Sequence, residues 1–459
     1  MSAPLPVGHR PGVFYRATRL QALLRVLCLA VLFHLLYVTY LSTVWAYFGY
    51  AMRQTNAAAV VGTYALILGP ALLVPARSGR RTILVFFVLY SLLYLPSQFA
   101  LHFASDSWAR GLAIQVALAL GFSLIALSFH LPVQSLRMPA MSWSLYVGSL
   151  VALCSLCLAI ALRGGLGNLN FAAFFEASSD RRAKEEASAI LGLYGSGYVF
   201  AWATYVIAPL LIVIGLMRKR VLLFIVGCVT EVTIYATATA KFALLTPPFV
   251  VLAWYFCRRD HGQVAVKYTY WCSGLLFAGT LVANTLLGVP NAVEGVLSYF
   301  VMRYFGYQGV STVLYAKFAE ANGYTYWSHV KGVSEYIPYP FGQGLPWAIA
   351  DFWWGYPGLS SPGHPWAQDG LAAAGLGGVL VISFIVAAVF WLTDAFTARA
   401  SAGMVVPLLL IQGIMLSESS LFTQLLSNGW LVLCVLLWVS PSALREGSRR
   451  RLSPAGDVP

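Results

Sequence analysis

Long apolar runs separated by short polar stretches dominate this 459-residue chain. A helix needs about 20 apolar residues to cross the hydrocarbon core of a bilayer. That rule places helices near 21–45, 57–75, 82–102, 111–131, 143–162 and 193–216, and then near 221–238, 242–257, 268–289, 370–393, 403–418 and 421–440. The stretches 221–257 and 403–440 each read as two short helices or one broken helix. The pattern predicts an all-α polytopic membrane protein of about twelve transmembrane helices, with residues 1–459 forming one integral membrane domain.

Two connecting segments are too long to be simple turns. Residues 163–192 start with Gly164, Gly165 and Gly167, then group aromatic residues ahead of charged ones, as in an amphipathic helix lying on a membrane surface. Residues 290–368 hold five Trp, nine Tyr and five Phe among 79 positions, and a loop this long and aromatic is expected to be functional rather than disordered.

Composition excludes a soluble protein: 59% of residues are hydrophobic and 10% charged, against about 25% charged in an ordinary globular domain. The net charge of +13 would suggest a nucleic-acid partner in a soluble chain, but here the basic residues lie between apolar runs. With both termini cytoplasmic, 19 of the 29 Lys and Arg fall on the inner side and 10 outside, while four acidic residues fall inside and eleven outside. This sorting argues for membrane topology and against nucleic acid. The polar, Arg-containing start reads as a retained signal anchor. All seven cysteines lie in or beside apolar runs, so Cys154 and Cys157 are expected to pack in the core rather than form a disulfide.

The outer loops collect the candidate chemistry. Arg303 follows apolar residues that could form a short helix dipping back toward the bilayer. Its guanidinium fork suits a diphosphate, and the competing reading is an Arg snorkelling to lipid headgroups. Lys241, in a tight turn, reads as a phosphate ligand or as the end of a span. Glu231 is the one carboxylate well inside a predicted span, where it would pair with a cation or act in proton transfer. His364 and Asp369 stand before a glycine- and alanine-rich helix and could supply a general base and its orienting partner, with Asp369 equally suited to capping that helix. His329 is a second imidazole with no acidic residue near it in sequence. Arg181 and Arg182 face Asp180, Glu185 and Glu186 as a solvated helix face or as headgroup contacts. Glu418 sits at an outer turn, as a cap or a catalytic carboxylate. No P-loop, HExxH or GxSxG occurs, and the outer loops lack an Asp-x-Asp pair for a divalent ion, so no metal or cofactor is expected.

Several segments, in order, resemble the Wzy-type oligosaccharide repeat-unit (O-antigen) polymerases, bacterial inner-membrane proteins related to the O-antigen ligases. They are the charged segment after the fifth span, the turn Tyr235-Ala-Thr-Ala-Thr-Ala-Lys241, and Arg303-Tyr-Phe-Gly-Tyr-Gln308. Asp369-Gly-Leu-Ala-Ala-Ala-Gly-Leu-Gly-Gly378 and the stretch from Leu421 to Gly429 complete the series. The resemblance implies a GT-C-like glycosyltransferase, without metal, that acts on the outer face of the cytoplasmic membrane. Its substrate would be undecaprenyl-diphosphate-linked oligosaccharide repeat units, extended into O-antigen, capsule or exopolysaccharide. Arg303, Lys241, Arg181 and Arg182 would then hold the leaving diphosphate. His364, or else Asp369 or Glu418, would activate the acceptor hydroxyl, and Trp327, Trp354 and Trp366 would stack on sugars or join an interfacial belt. Expected partners are the lipid-linked oligosaccharide and membrane lipids; binding of a chain-length regulator stays open. The alternatives are ligase-like transfer and a lipid-linked sugar transporter.

Overall fold

The structure, a computed structural model, describes residues 14–53, 56–136, 139–163, 196–238, 241–257, 263–287, 292–330, 332–355 and 365–445. It is about 79% helical, with a single two-residue antiparallel ladder among the described residues, Tyr15–Arg16 against Arg77–Ser78. Among the described residues, seven helices are long and apolar enough to cross a membrane: α1 (Arg19–Val44), α3 (Ile83–Ala104), α4 (Trp108–Ser128), α5 (Trp143–Leu162), α6 (Gly197–Arg218), α13 (Trp366–Thr397) and the pair α15–α16 (Leu421–Trp438). Between them stand α2 (Ala57–Leu73), α7 (Val221–Ala238), α8 (Lys241–Cys257), α9 (Gln263–Leu287), α10 (Ala292–Val301), α11 (Tyr307–Asn322), α12 (Leu345–Trp354) and α14 (Ala402–Glu418). The chain is thus an all-α polytopic membrane protein. Helices stand at each of the twelve places marked by apolar runs, and the last run is broken at residues 427–429 into α15 (Leu421–Leu426) and α16 (Trp430–Trp438).

Helix α3 is the centre of the molecule, buried along its whole length. A helix surrounded by protein can carry polar side chains if neighbours satisfy them. Gln98 Nε2 donates to the Gln115 carbonyl at 3.0 Å, and Gln115 Nε2 donates to the Gln98 carbonyl at 2.7 Å and to Thr63 Oγ1 at 3.1 Å. Small residues let backbones meet: a Cβ added to Gly309 would lie 2.5 Å from the Pro96 carbonyl oxygen, so α11 lies directly on α3.

Two expectations change here. Much of the segment 290–368 is helix rather than loop, and from Tyr307 to Tyr315 α11 is buried against α3. Its polar residues find partners inside: Gln368 Nε2 donates to the Gln308 carbonyl at 3.0 Å, to Ser311 Oγ at 2.7 Å and to Thr312 Oγ1 at 3.0 Å. The span expected over 370–393 is also interrupted. Ala374 (φ −156°, ψ 31°) and Gly375 (φ 60°, ψ −138°) leave helical geometry, so a short buried helix, Trp366 to Ala373, folds back on the start of the following span. The Gly370 and Gly378 backbones touch across this reversal, and a Cβ on Gly370 would lie 2.6 Å from the Gly378 carbonyl oxygen. The charged segment 163–192 lies outside the described residues beyond Arg163.

At one end of the helix layer, Asp394 fastens the turn before α3. It accepts from the Arg81 and Thr82 backbone N–H at 2.8 and 3.0 Å and from Thr82 Oγ1 at 2.6 Å, and it pairs with the buried Arg80. Removing one partner of a buried ion pair typically costs about 3–5 kcal/mol. Asp394→Ala is therefore expected to lower the unfolding midpoint in detergent by many degrees. A midpoint unchanged from wild type would show that this cluster does not hold the end of the layer.

Candidate functional site

Arg303 lies at mid-depth in the helix layer. It belongs to a π-helical turn, Met302–Gly306, that joins α10 to α11. Phe305 in that turn packs at 4.7 Å on Phe277, in the middle of α9, and the turn touches a second π-turn, Tyr90–Tyr94, halfway along α3. From there α11 climbs along α3 until Lys317 pairs with Asp106 at 2.5 Å, in the connection that follows the span. A third π-turn, Ala203–Ile207, and the Tyr90–Tyr94 turn both contact α14, the helix that ends in Glu418. Single π-turns inside α-helices recur at functional sites because they shift the register of the side chains that follow.

Around Arg303 the arrangement is specific. Its Nη2 lies 3.5 Å from Glu418 Oε2, and its guanidinium lies 5.9 Å from the ring centres of both Tyr304 and Tyr307. The Arg303 side chain is 25% exposed and that of Glu418 16%, so the pair is only partly open. Arg303 Nη1 and Glu418 Oε1 have no hydrogen-bond partner. A guanidinium with a spare donor beside aromatic faces can take an anionic oxygen. Gly306 makes room for the Tyr50 hydroxyl, which reaches the Met302 carbonyl at 3.4 Å. Beneath Glu418, Asn428 Nδ2 donates to Gln424 Oε1 at 2.8 Å and to Ser419 Oγ at 3.2 Å, while Gln412 Nε2 donates to the Tyr205 carbonyl at 3.1 Å.

A second cluster lies on the other side of Gln308. The reversal at Ala374 and Gly375 exposes carbonyls that the loop after α11 covers: the Thr325 N–H donates to Ala372 O at 2.9 Å and the Tyr326 N–H to Ala373 O at 3.0 Å. This docking brings His329 Nε2 to 3.3 Å from Asp369 Oδ1 and Thr325 Oγ1 to 3.0 Å from His329 Nδ1. Tyr326 and Trp327 hold positive φ, 49° and 59°, a conformation that costs an L-residue roughly 1–2 kcal/mol and clusters at functional sites.

The structure places the expected residues unevenly. Arg303 is partnered with Glu418, and Asp369 with His329, which lacks any acidic neighbour in sequence. Asp369 is not the helix cap: Pro365 holds that position and Asp369 is fully buried in the first turn. Lys241 begins α8, next to Phe242, whose ring packs 5.6 Å from Tyr205 near Glu418. Trp327 borders the His329 cluster, and Trp354 packs 5.3 Å from Phe48, itself 5.5 Å from Tyr307. Trp366 has no face to offer a sugar, because it is buried against Phe122. His364, Arg181 and Arg182 lie outside the described residues. Sequence reasoning placed Arg303 among tyrosines but missed that the rings of Tyr304 and Tyr307 wall its guanidinium, and it missed the role of Thr325. The spacing of Tyr304 and Tyr307 from Arg303 was a usable signal; nothing near Thr325 in sequence pointed to its imidazole.

No family model matches the chain, and no curated protein and no solved structure does either. What the fold and site define is a polytopic helical membrane protein with a cation held at mid-depth in an aromatic setting.

Proposed function

We propose that this chain is a membrane glycosyltransferase of about twelve spans and GT-C-like architecture. It would polymerise undecaprenyl-diphosphate-linked repeat units on the outer face of the bacterial cytoplasmic membrane. The observation that carries this reading is the partly exposed Arg303 with a buried, unpartnered Nη1, walled by Tyr304 and Tyr307, and joined through Gln308 and Gln368 to the His329 and Asp369 pair. Arg303, helped by Lys241, neutralises the leaving diphosphate as the glycosidic bond breaks. With its Nε2–H toward Asp369, His329 presents the Nδ1 lone pair now facing Thr325. An acceptor hydroxyl that takes the place of Thr325 Oγ1 can give up its proton there, and Asp369 stabilises the imidazolium that forms.

Surface-polysaccharide chain length in a deletion strain tests this reading. The strain is expected to accumulate single lipid-linked repeats and to regain long chains with the wild-type gene but not with His329→Ala. Export that fails while lipid-linked chains stay long would point to ligase-like transfer instead. A transporter is the second reading, favoured by one observation: Glu231 is fully buried in a membrane helix. It predicts repeats trapped on the cytoplasmic side.

A further inference from the structure

Five charged side chains from three separate segments meet at the end of α3 remote from Asp394. Asp106, two residues beyond α3, takes Arg53 on one carboxylate oxygen and Lys317 on the other, the latter at 2.5 Å. Arg53 is held there by its backbone N–H, which donates to the Phe103 carbonyl in the last turn of α3 at 2.8 Å. Arg110, in the first turn of α4, pairs with Glu320, one turn beyond Lys317 on α11. Three cations thus share two carboxylates, and among the described residues Asp351 on the neighbouring α12 pairs with none of them.

Surface ion pairs balanced one to one contribute little. Here one positive charge is in excess, and it stands over the end of the buried central helix rather than at the lipid-facing rim. Four of the five side chains are close to half exposed, while Lys317, 15% exposed, is backed by the Trp353 ring at 5.0 Å. Phe352, exposed and next in sequence, rests on Phe318 at 5.6 Å. We infer that Arg53, Lys317 and Arg110 form a binding site, separate from Arg303, for a carboxylate or phosphate group carried on a sugar. Guanidinium forks hold such oxyanions through paired N–H donors. The aromatic surface beside the cations favours an anion borne on a body with an apolar face, as a sugar ring has, over a bare inorganic ion. The charge balance alone calls for the oxyanion; that a glycan carries it rests on the glycosyltransferase reading.

Calorimetric titration of the purified full chain in neutral detergent with a galacturonic acid trimer tests this. The trimer is expected to bind and its uncharged methyl ester is not. Arg53→Gln and Lys317→Gln are each expected to weaken binding about tenfold, the loss of one charge-assisted hydrogen bond. Glu320→Gln removes a competing carboxylate from an exposed pair and is expected to tighten binding severalfold, a gain that a purely structural cluster cannot give. If Lys317→Gln does not fold, the exposed Arg53→Gln decides alone. The inference is overturned if acid and ester bind alike, if Arg53→Gln keeps the wild-type affinity, or if Arg303→Ala removes binding as fully as Arg53→Gln. Displacement of the trimer by phosphatidylglycerol added to the micelles would make the occupant a lipid headgroup and overturn it too. Trimer binding together with a normal polysaccharide ladder in the deletion strain would leave the site standing and sink only the glycosyltransferase reading.

Discussion

If the chain is the polymerase proposed above, Arg303→Lys is expected to abolish long-chain surface polysaccharide even though the positive charge remains. The planar guanidinium meets Glu418 through Nη2 and keeps Nη1 free beside the faces of Tyr304 and Tyr307. A lysine ammonium is a point charge that can satisfy Glu418 or an incoming phosphate oxygen, but it cannot hold the fork geometry that serves both. Removing one preorganised donor to a developing oxyanion costs about 10²–10³ in turnover. Polysaccharide blots from a complemented deletion strain would show single repeats in place of a ladder, with the variant present in the membrane at wild-type levels. A normal ladder from Arg303→Lys would remove Arg303 from the chemistry.

Gly378→Ala is expected to have the largest structural effect of any Gly→Ala change among the described residues. Its new Cβ would run into the Gly370 carbonyl oxygen, and neither backbone can move without undoing the fold-back that ends at Gly375. Overpacking typically costs about 1–3 kcal/mol, and a clash between two backbones belongs at the top of that range. The loop that docks on Ala372 and Ala373 would lose its seat, and with it the approach of His329 to Asp369. Proteolysis within residues 323–330 in the native membrane should therefore become faster in Gly378→Ala and stay slow in Gly377→Ala, where a Cβ meets open space.

The positions of the helices were legible because apolar run length is set by the bilayer and hardly by tertiary contacts. Run length was silent about the break at Ala374, since alanine and glycine in an apolar run read the same whether the helix continues or turns back. The buried face of α11 was likewise hidden: Gln308, Ser311 and Thr312 look like loop residues until Gln368 and Ser97 are placed opposite them. Arg303 could be singled out by its charge and surroundings, but its partner could not, because Glu418 is 115 residues away. His329 and Asp369 are 40 residues apart and meet only because a loop caps the carbonyls freed by a helix reversal.

The complete burial of α3 has a consequence for how the protein answers to its lipid. A span that touches no acyl chain has no hydrophobic length to match, so a thinner or thicker bilayer can tilt the outer helices without pulling directly on this one. Arg303 takes its depth from contacts with α3 and α9, so its height is gauged against protein rather than lipid. Mismatch should then register first in α2, α7 and other peripheral helices, while the charged pair keeps its level.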